Sequence, residues 1–246
     1  MPPENGPGPR VGTSGWRYDH WRGAYYPDDV RGLDELRHYA EDFNCVEINT
    51  SFYGLPSTRT LKAWRDAVPD GFRFTAKMSR YLTHMKKLKD PEESVRNFYS
   101  RMEALDDCLA AVLFQLPPRW HRNPERLESL LDILPEEGPT PVFEFRDPDW
   151  ITGDVTDILR RHGAAFCIYH LDGHPSPKIV TSNMVYLRLH GPGGPYEGEY
   201  GDKGLAPWTG AISAWRRTGK EVFAFFDNDT DAAAVRDAGR LVRQCG

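Results

Sequence analysis

The feature that most constrains this chain is an alternation. Short β-rich runs recur at Val11–Ser14, Cys45–Asn49, Arg73–Lys77, Ala111–Leu116, Val142–Phe145, Ala165–Tyr169, Met184–His190 and Val222–Phe226. Amphipathic stretches of helical period lie between them at Leu33–Asp42, Thr58–Val68, Pro91–Asp106, Pro124–Leu134, Asp154–His162, Trp208–Thr218 and Asp231–Arg243. Only the sixth connection, Leu171–Asn183, lacks a helical pattern. Eight strands in 246 residues leave about thirty residues per strand–helix unit. That spacing predicts an α/β fold of the (β/α)8 TIM-barrel type, with a short or irregular sixth connection, rather than a five- or six-stranded open sheet. No repeat or Ser/Gly linker divides the chain, so residues 10–246 read as one domain behind a flexible Pro/Gly leader, residues 1–9.

Charge and composition narrow the partners. Thirty-one Lys and Arg against 36 Asp and Glu give a net charge of −5, which excludes a generally basic nucleic-acid coat. The longest apolar run, Cys108–Phe114, is far too short to cross a bilayer, and the N-terminus has no apolar signal region. Cys45, Cys108, Cys167 and Cys245 are scattered, without a paired or zinc-type spacing. They read as isolated thiols in a reducing, cytoplasmic setting, with no membrane partner.

In a barrel the helices cover the outside, so apolar strand residues face out and polar ones face in. Val46 and Ile48 outward put Glu47 and Asn49 inward. Phe143 and Phe145 do the same for Glu144 and Arg146, and Leu187 and Leu189 for Tyr186, Arg188 and His190. Lys77, Gln115 and Asp227 fall at inward positions closing their strands. Most of this set lies toward C-terminal strand ends, where barrel enzymes place their chemistry. Buried charges must pair or face a wet pocket, so the alternatives are a closed ion-pair network and a polar ligand site.

The loops after the strands are aromatic and basic. Trp16, Trp21, Trp120, Trp150 and Trp208 fall between a strand and the next helix, joined by Tyr18, Tyr53, Tyr196 and others. Flat rings there either stack a sugar or base or seal the barrel top. Arg17, Arg22, Arg80, His84, Lys86, Lys87, Lys89, Arg119, His121 and Arg122 make these loops positive on a net-negative chain, which would steer anions. His190–Gly204 holds six glycines, as a lid or phosphate cradle would, but no P-loop signature.

Several motifs fail. Asp227, Asp229 and Asp231 begin like a calcium loop, but Ala232 and Ala238 stand where Gly and Glu are needed. Ser14 lacks the G-x-S-x-G elbow, and no H-E-x-x-H occurs. No cofactor and no metal site are predicted, although a divalent metal held by distant strand ends such as Glu47, Glu144 and His190 stays open.

GTSGWRYDHWRGAYYP (Gly12–Pro27), FNCVEINTSFYGLP (Phe43–Pro56), FRFTAKMSRYLTH (Phe72–His84), LFQLPP (Leu113–Pro118), EFRDPDW (Glu144–Trp150), YLRLHGPGGPY (Tyr186–Tyr196) and FFDND (Phe225–Asp229) follow in order. Together they resemble the DUF72, or YecE-like, family over about residues 10–244. Many members read F-N-N where Phe226, Asp227 and Asn228 stand here. The resemblance implies a TIM-type barrel but no activity, since the family is one of unknown function, and it carries over no catalytic residue.

Three functions follow. The first is an enzyme, a hydrolase, lyase or isomerase, acting on a small anionic or sugar-like molecule at the barrel mouth. Glu47 or Glu144 would be general acid or base, and His190 a proton shuttle. Trp16, Tyr18, Asn49, Tyr53, Lys77, Gln115, Arg146, Arg188, Asp227 and Asn228 would bind the substrate. The second is a protein that binds or processes single-stranded nucleic acid, stacking bases on Trp16, Trp21 and Trp120. The third is a non-catalytic ligand-binding protein using the same pocket.

Overall fold

Strands form where β-branched and aromatic residues alternate, and helices where apolar residues recur every three or four. The structure, a computed structural model, describes residues 8–246. The strands are β1 (Arg10–Thr13), β2 (Cys45–Ile48), β3 (Arg73–Lys77), β4 (Leu109–Leu116), β5 (Thr140–Phe145), β6 (Ala165–Leu171), β7 (His174–Pro175), β8 (Met184–Leu189) and β9 (Glu221–Phe226). The helices are α1 (Leu33–Asp42), α2 (Thr58–Arg65), α3 (Glu92–Met102), α4 (Pro124–Leu131), α5 (Gly153–Arg161), α6 (Gly201–Arg217) and α7 (Ala233–Cys245). Apart from the two-residue β7, every strand but β6 is followed by a helix, and the chain folds as a (β/α)8 barrel. All but two residues of the expected leader lie outside the described residues.

The sixth connection is a hairpin instead of a helix. β7 turns back antiparallel on β6, pairing Leu171 with His174. Asp172 and Gly173 fill the two-residue turn with φ of 53° and 72°. An Asp-Gly pair suits a turn that needs positive φ twice.

The chain groups into two compact units. The first runs up to Glu47 and adds Ile168–Lys178 and Asn183–Gly246; the second holds Ile48–Cys167 and Ile179–Ser182. In the first unit β1 pairs parallel with β9, Val11 opposite Ala224, and β9 with β8, Ala224 opposite Leu187. The other edge of β1 meets β2, where Ser14 bridges to Glu47 and Gly15 N–H donates to Glu47 O at 2.8 Å. Gly12 is needed there, because a Cβ would stand 2.0 Å from the Cys45 carbonyl oxygen.

In the second unit β3, β4 and β5 run parallel in sequence order, with Lys77 opposite Leu113 and Gln115 opposite Glu144. β5 continues to the start of β6, Phe143 opposite Phe166. Phe114 stacks on Phe143 at 5.0 Å and Phe145 on Trp150 at 5.2 Å, so the aromatic outer positions of β4 and β5 form a ladder. Local caps place two helices here. Ser57 Oγ accepts from Thr60 N at 3.0 Å before α2. Asn123 Oδ1 accepts from Arg126 N at 3.0 Å before α4, which has proline in its first turn.

α6 departs most from its expected bounds, starting seven residues before Trp208 and taking in Gly201, Gly204 and Pro207. The glycine-rich loop after β8 therefore ends at Tyr200. A buried carboxylate from α7 supplies the missing cap: Asp237 accepts from Tyr200 N at 2.9 Å and Gly201 N at 3.3 Å. Leu205, Trp208 and Ile212 then form its buried stripe. Among the described residues no helix is long and apolar enough to cross a membrane.

Candidate functional site

Each unit gathers one set of polar side chains at its strand ends. In the first unit β1, β2, β8 and β9 bring together Ser14, Glu47, Tyr186, Arg188, His190 and Asp227. The alternation that turns Glu47 and Arg188 away from the helices also applies to Ser14 and Tyr186, which complete the group.

Glu47 is fully buried and takes four hydrogen bonds. Its Oε1 accepts from Ser14 Oγ at 2.6 Å and Arg188 Nη2 at 2.7 Å. Its Oε2 accepts from Tyr186 OH at 2.6 Å and Arg188 Nε at 3.1 Å. With both oxygens so engaged, the carboxylate clamps a planar guanidinium. Two of these four bonds come from Arg188, so the pair is fixed in one geometry by the lone pairs of both oxygens.

Arg188 extends the network. Its Nη2 donates to Asp227 Oδ2 at 3.0 Å and to Ser14 Oγ at 3.1 Å, while Nη1 faces His190 Nε2 at 3.4 Å. Guanidinium nitrogens only donate, so His190 Nε2 is the accepting nitrogen and the ring proton sits on Nδ1. That Nδ1 stands 3.0 Å from Asp227 Oδ2, within pairing distance but off the best hydrogen-bond direction. Asp227 keeps 12 % of its side-chain surface, whereas Glu47 and His190 keep none.

Tyr18, half-buried above the group, donates to the Ser14 carbonyl. Burial, then the charges of Asp227, Asp229 and Glu47, raise its hydroxyl far above the ordinary tyrosine value, so it remains a phenol. Burial likewise raises Asp229, whose backbone carbonyl accepts from Trp21 Nε1 at 2.9 Å.

The second unit gathers Gln115, Glu144, Arg146 and Cys167, with Lys77 and His84 set by the β3 end. Glu144 Oε1 accepts from Gln115 Nε2 at 2.9 Å and from Arg146 Nε, and Cys167 Sγ lies 3.9 Å from Oε2. Lys77 Nζ stands 4.3 Å from the centroid of Phe52, which meets His84 edge-on at 5.0 Å. Burial, with the positive charges of Lys77, Arg80 and Arg146, lowers His84 to about 4. His84 lay among the basic loop residues by sequence; its neutrality needs those neighbours.

Other expected binding residues are placed elsewhere. Trp16 is buried, its carbonyl accepting from Tyr26 OH. Asn228 is buried and donates to Gly198 O of the glycine-rich loop at 2.7 Å and to Asp237 Oδ2 on α7 at 3.0 Å. Tyr53 is 82 % exposed and touches Phe52 edge-on. Asn49 is half-buried at the end of β2, with its backbone carbonyl accepting from Phe52 N at 3.1 Å. Trp21 and Trp120, expected with Trp16 to stack bases, are also buried, as are Trp150 and Trp208. Several loop cations are paired as well: Arg122 with Asp154 at 2.9 Å, and Arg17 and Arg22 with the buried Glu35 at 3.2 and 3.5 Å. Among the described residues no three His, Cys, Asp or Glu side chains gather as metal ligands would.

Parallel strands alternating with helices define the class as a (β/α)8 barrel, with polar side chains collected at its strand ends. The chain belongs to the DUF72 family, whose model, described as "Protein of unknown function DUF72", matches residues 10–246. It is 34 % identical over 156 residues to the UPF0759 protein YecE of Escherichia coli, covering 61 % of this chain and 53 % of that protein, so the match spans about half of YecE. A crystal structure of a DUF72 family protein from Thermotoga maritima is similar at 27 % identity, with a TM-score of 0.85 over 95 % of this chain and 97 % of that one. D-Psicose 3-epimerase from Clostridium cellulolyticum H10, solved with D-tagatose, shares the fold alone, at 11 % identity and a TM-score of 0.53 over 96 % and 95 % of the two chains.

Proposed function

We propose that this protein is an enzyme that moves protons on a small, neutral, hydroxyl-bearing molecule of sugar-like chemistry, with Asp227 as the proton-exchanging group and His190 as its partner. The observation that carries this reading is the Asp227 carboxylate, which alone among the acids of its group keeps exposed surface while Arg188 and His190 hold it from behind. An acid oriented by buried donors and open on one side has the arrangement general acid–base chemistry needs. Glu47 and Asp227 outnumber Arg188, so with a neutral imidazole the group carries one excess negative charge. That charge disfavours phosphates and carboxylates and suits hydroxyl donors. Tyr18, kept as a phenol, adds a polar edge beside the acid.

The test is solvent exchange. A panel of neutral ketoses and aldoses is incubated with the full chain in heavy water and followed by proton NMR. The expected result is deuterium at a carbon beside the carbonyl of at least one sugar, slowed by about 100-fold or more in Asp227→Asn. No exchange and no conversion of any sugar by the wild type overturns the proposal, as does an Asp227→Asn variant as fast as the wild type.

A further inference from the structure

Within the second unit, a cavity of about 290 Å³ is bordered by the connection from β3 to α3 and by the first half of α3. The connection opens with a π-helical turn, Tyr81–Met85, closed by Lys86 N–H donating to the Tyr81 carbonyl at 2.8 Å. Turns of this wide kind are rare and recur at functional sites. Lys87, Leu88 and Asp90 follow with φ of 50°, 61° and 42°, a conformation that costs side-chain-bearing residues energy. The result is a turn tight enough for the Lys86 ammonium to donate to the Asp90 carbonyl at 2.8 Å.

The connection contributes Ser79, Tyr81 and Lys86 to the cavity. Ser79 Oγ accepts from Leu82 N at 3.5 Å, which leaves its own hydrogen to give. The Tyr81 ring is 54 % exposed, with Lys86 Nζ 5.7 Å from its centroid. From α3, Glu93 and Asn97 lie one helical turn apart on one face, next to Ser94 and Phe98. Phe98 is buried and makes the lining partly apolar, whereas Glu93 and Asn97 are exposed. Among the described residues, the side chains of Glu93, Ser94 and Asn97 hydrogen-bond to no other residue, so their donors and acceptors face the cavity unspent.

This lining selects by charge, hydrogen bonding and size. Lys86 and Glu93 carry its two charges and cancel, so a neutral ligand meets no electrostatic excess. A hydroxyl group both donates and accepts: Lys86 supplies donors, Glu93 acceptors, and the serines and Asn97 both. An open tyrosine ring suits the C–H face of a sugar ring. The volume lies at the lower end of ligand pockets, about 300 Å³, which is room for one such ring.

We propose that this cavity is a binding site for one neutral pyranose ring, with Tyr81 against its C–H face and Lys86, Glu93 and Asn97 on its hydroxyls. The inference does not rest on the proton transfer proposed for Asp227, since its test reads binding and no turnover.

The experiment titrates the full chain with the methyl pyranosides of glucose, galactose and mannose, followed by saturation-transfer NMR on the ligand signals. These glycosides have no free carbonyl, so exchange beside a carbonyl cannot enter the readout. The expected result is saturable binding of at least one of them, with a Kd of about 1–10 mM. Tyr81→Ala and Asn97→Ala should each weaken it about fivefold. Both positions are exposed, and alanine favours the helix at 97, so the fold is kept. Absence of saturable binding to all three glycosides overturns the proposal, and so does an affinity unchanged in either variant.

Discussion

Arg188 is the residue whose loss reaches furthest, because two acids depend on it. Its side chain is 1 % exposed, and Glu47 behind it is wholly buried. Removing one partner of such a pair leaves a charge in low dielectric with nothing to balance it, at a cost of about 3–5 kcal/mol. Arg188→Met should therefore lower stability by about that much in urea unfolding. Adding Glu47→Gln, which removes the stranded charge, should recover at least half; a single variant losing less than about 1 kcal/mol would contradict the buried network. The strand alternation pointed Glu47, Arg188 and His190 the right way, since side-chain direction along a strand is local. Which acid Arg188 would hold was not legible: Glu47 is 141 positions away in sequence and Asp227 is 39, and only strand neighbourhood chooses between them.

At the scale of elements, α6 shows how a helix can begin where its own residues argue against it. Gly201, Gly204 and Pro207 all lower helix propensity, so the amphipathic signal begins only near Trp208. Asp237 overrides them by capping the first turn from another helix, and the same carboxylate accepts from Asn228 Nδ2 at 3.0 Å and Arg240 Nη1 at 2.8 Å. Asp237→Ala should cost about 2–3 kcal/mol, as several buried donors lose their acceptor together. Amide hydrogen exchange should also quicken over Tyr200–Leu205. A loss below about 0.5 kcal/mol with unchanged exchange would place the cap elsewhere. The hairpin in the sixth connection is the opposite case. Its Asp-Gly turn is local, as are the caps of α2 and α4, because those groups bind within three residues of themselves.

For the whole molecule, the histidines set how stability responds to acid. His84 is lowered to about 4, and burial lowers His170 as well. The unfolded chain takes up these protons near 6.5, so between 6.5 and 4 it binds more protons than the folded protein does. The stabilisation is complete above pH 6.5 and is lost as pH falls through that window. Asp229, raised by burial, acts in the opposite sense and only where carboxylates titrate. Urea midpoints measured from pH 7 to about 4 should fall, and His84→Gln should flatten the slope; a slope unaltered by that variant would assign it to other groups. The barrel and the inward strand-end set were determined by the sequence alone, since a period of two and a repeat of strand and helix are written into short windows of residues. Tertiary structure alone decided which of those charges pair, which indoles are buried, where α6 begins, and that His84 is neutral. Each of these depends on groups that the folded chain brings together from distant positions, and burial then determines how strongly they act on one another.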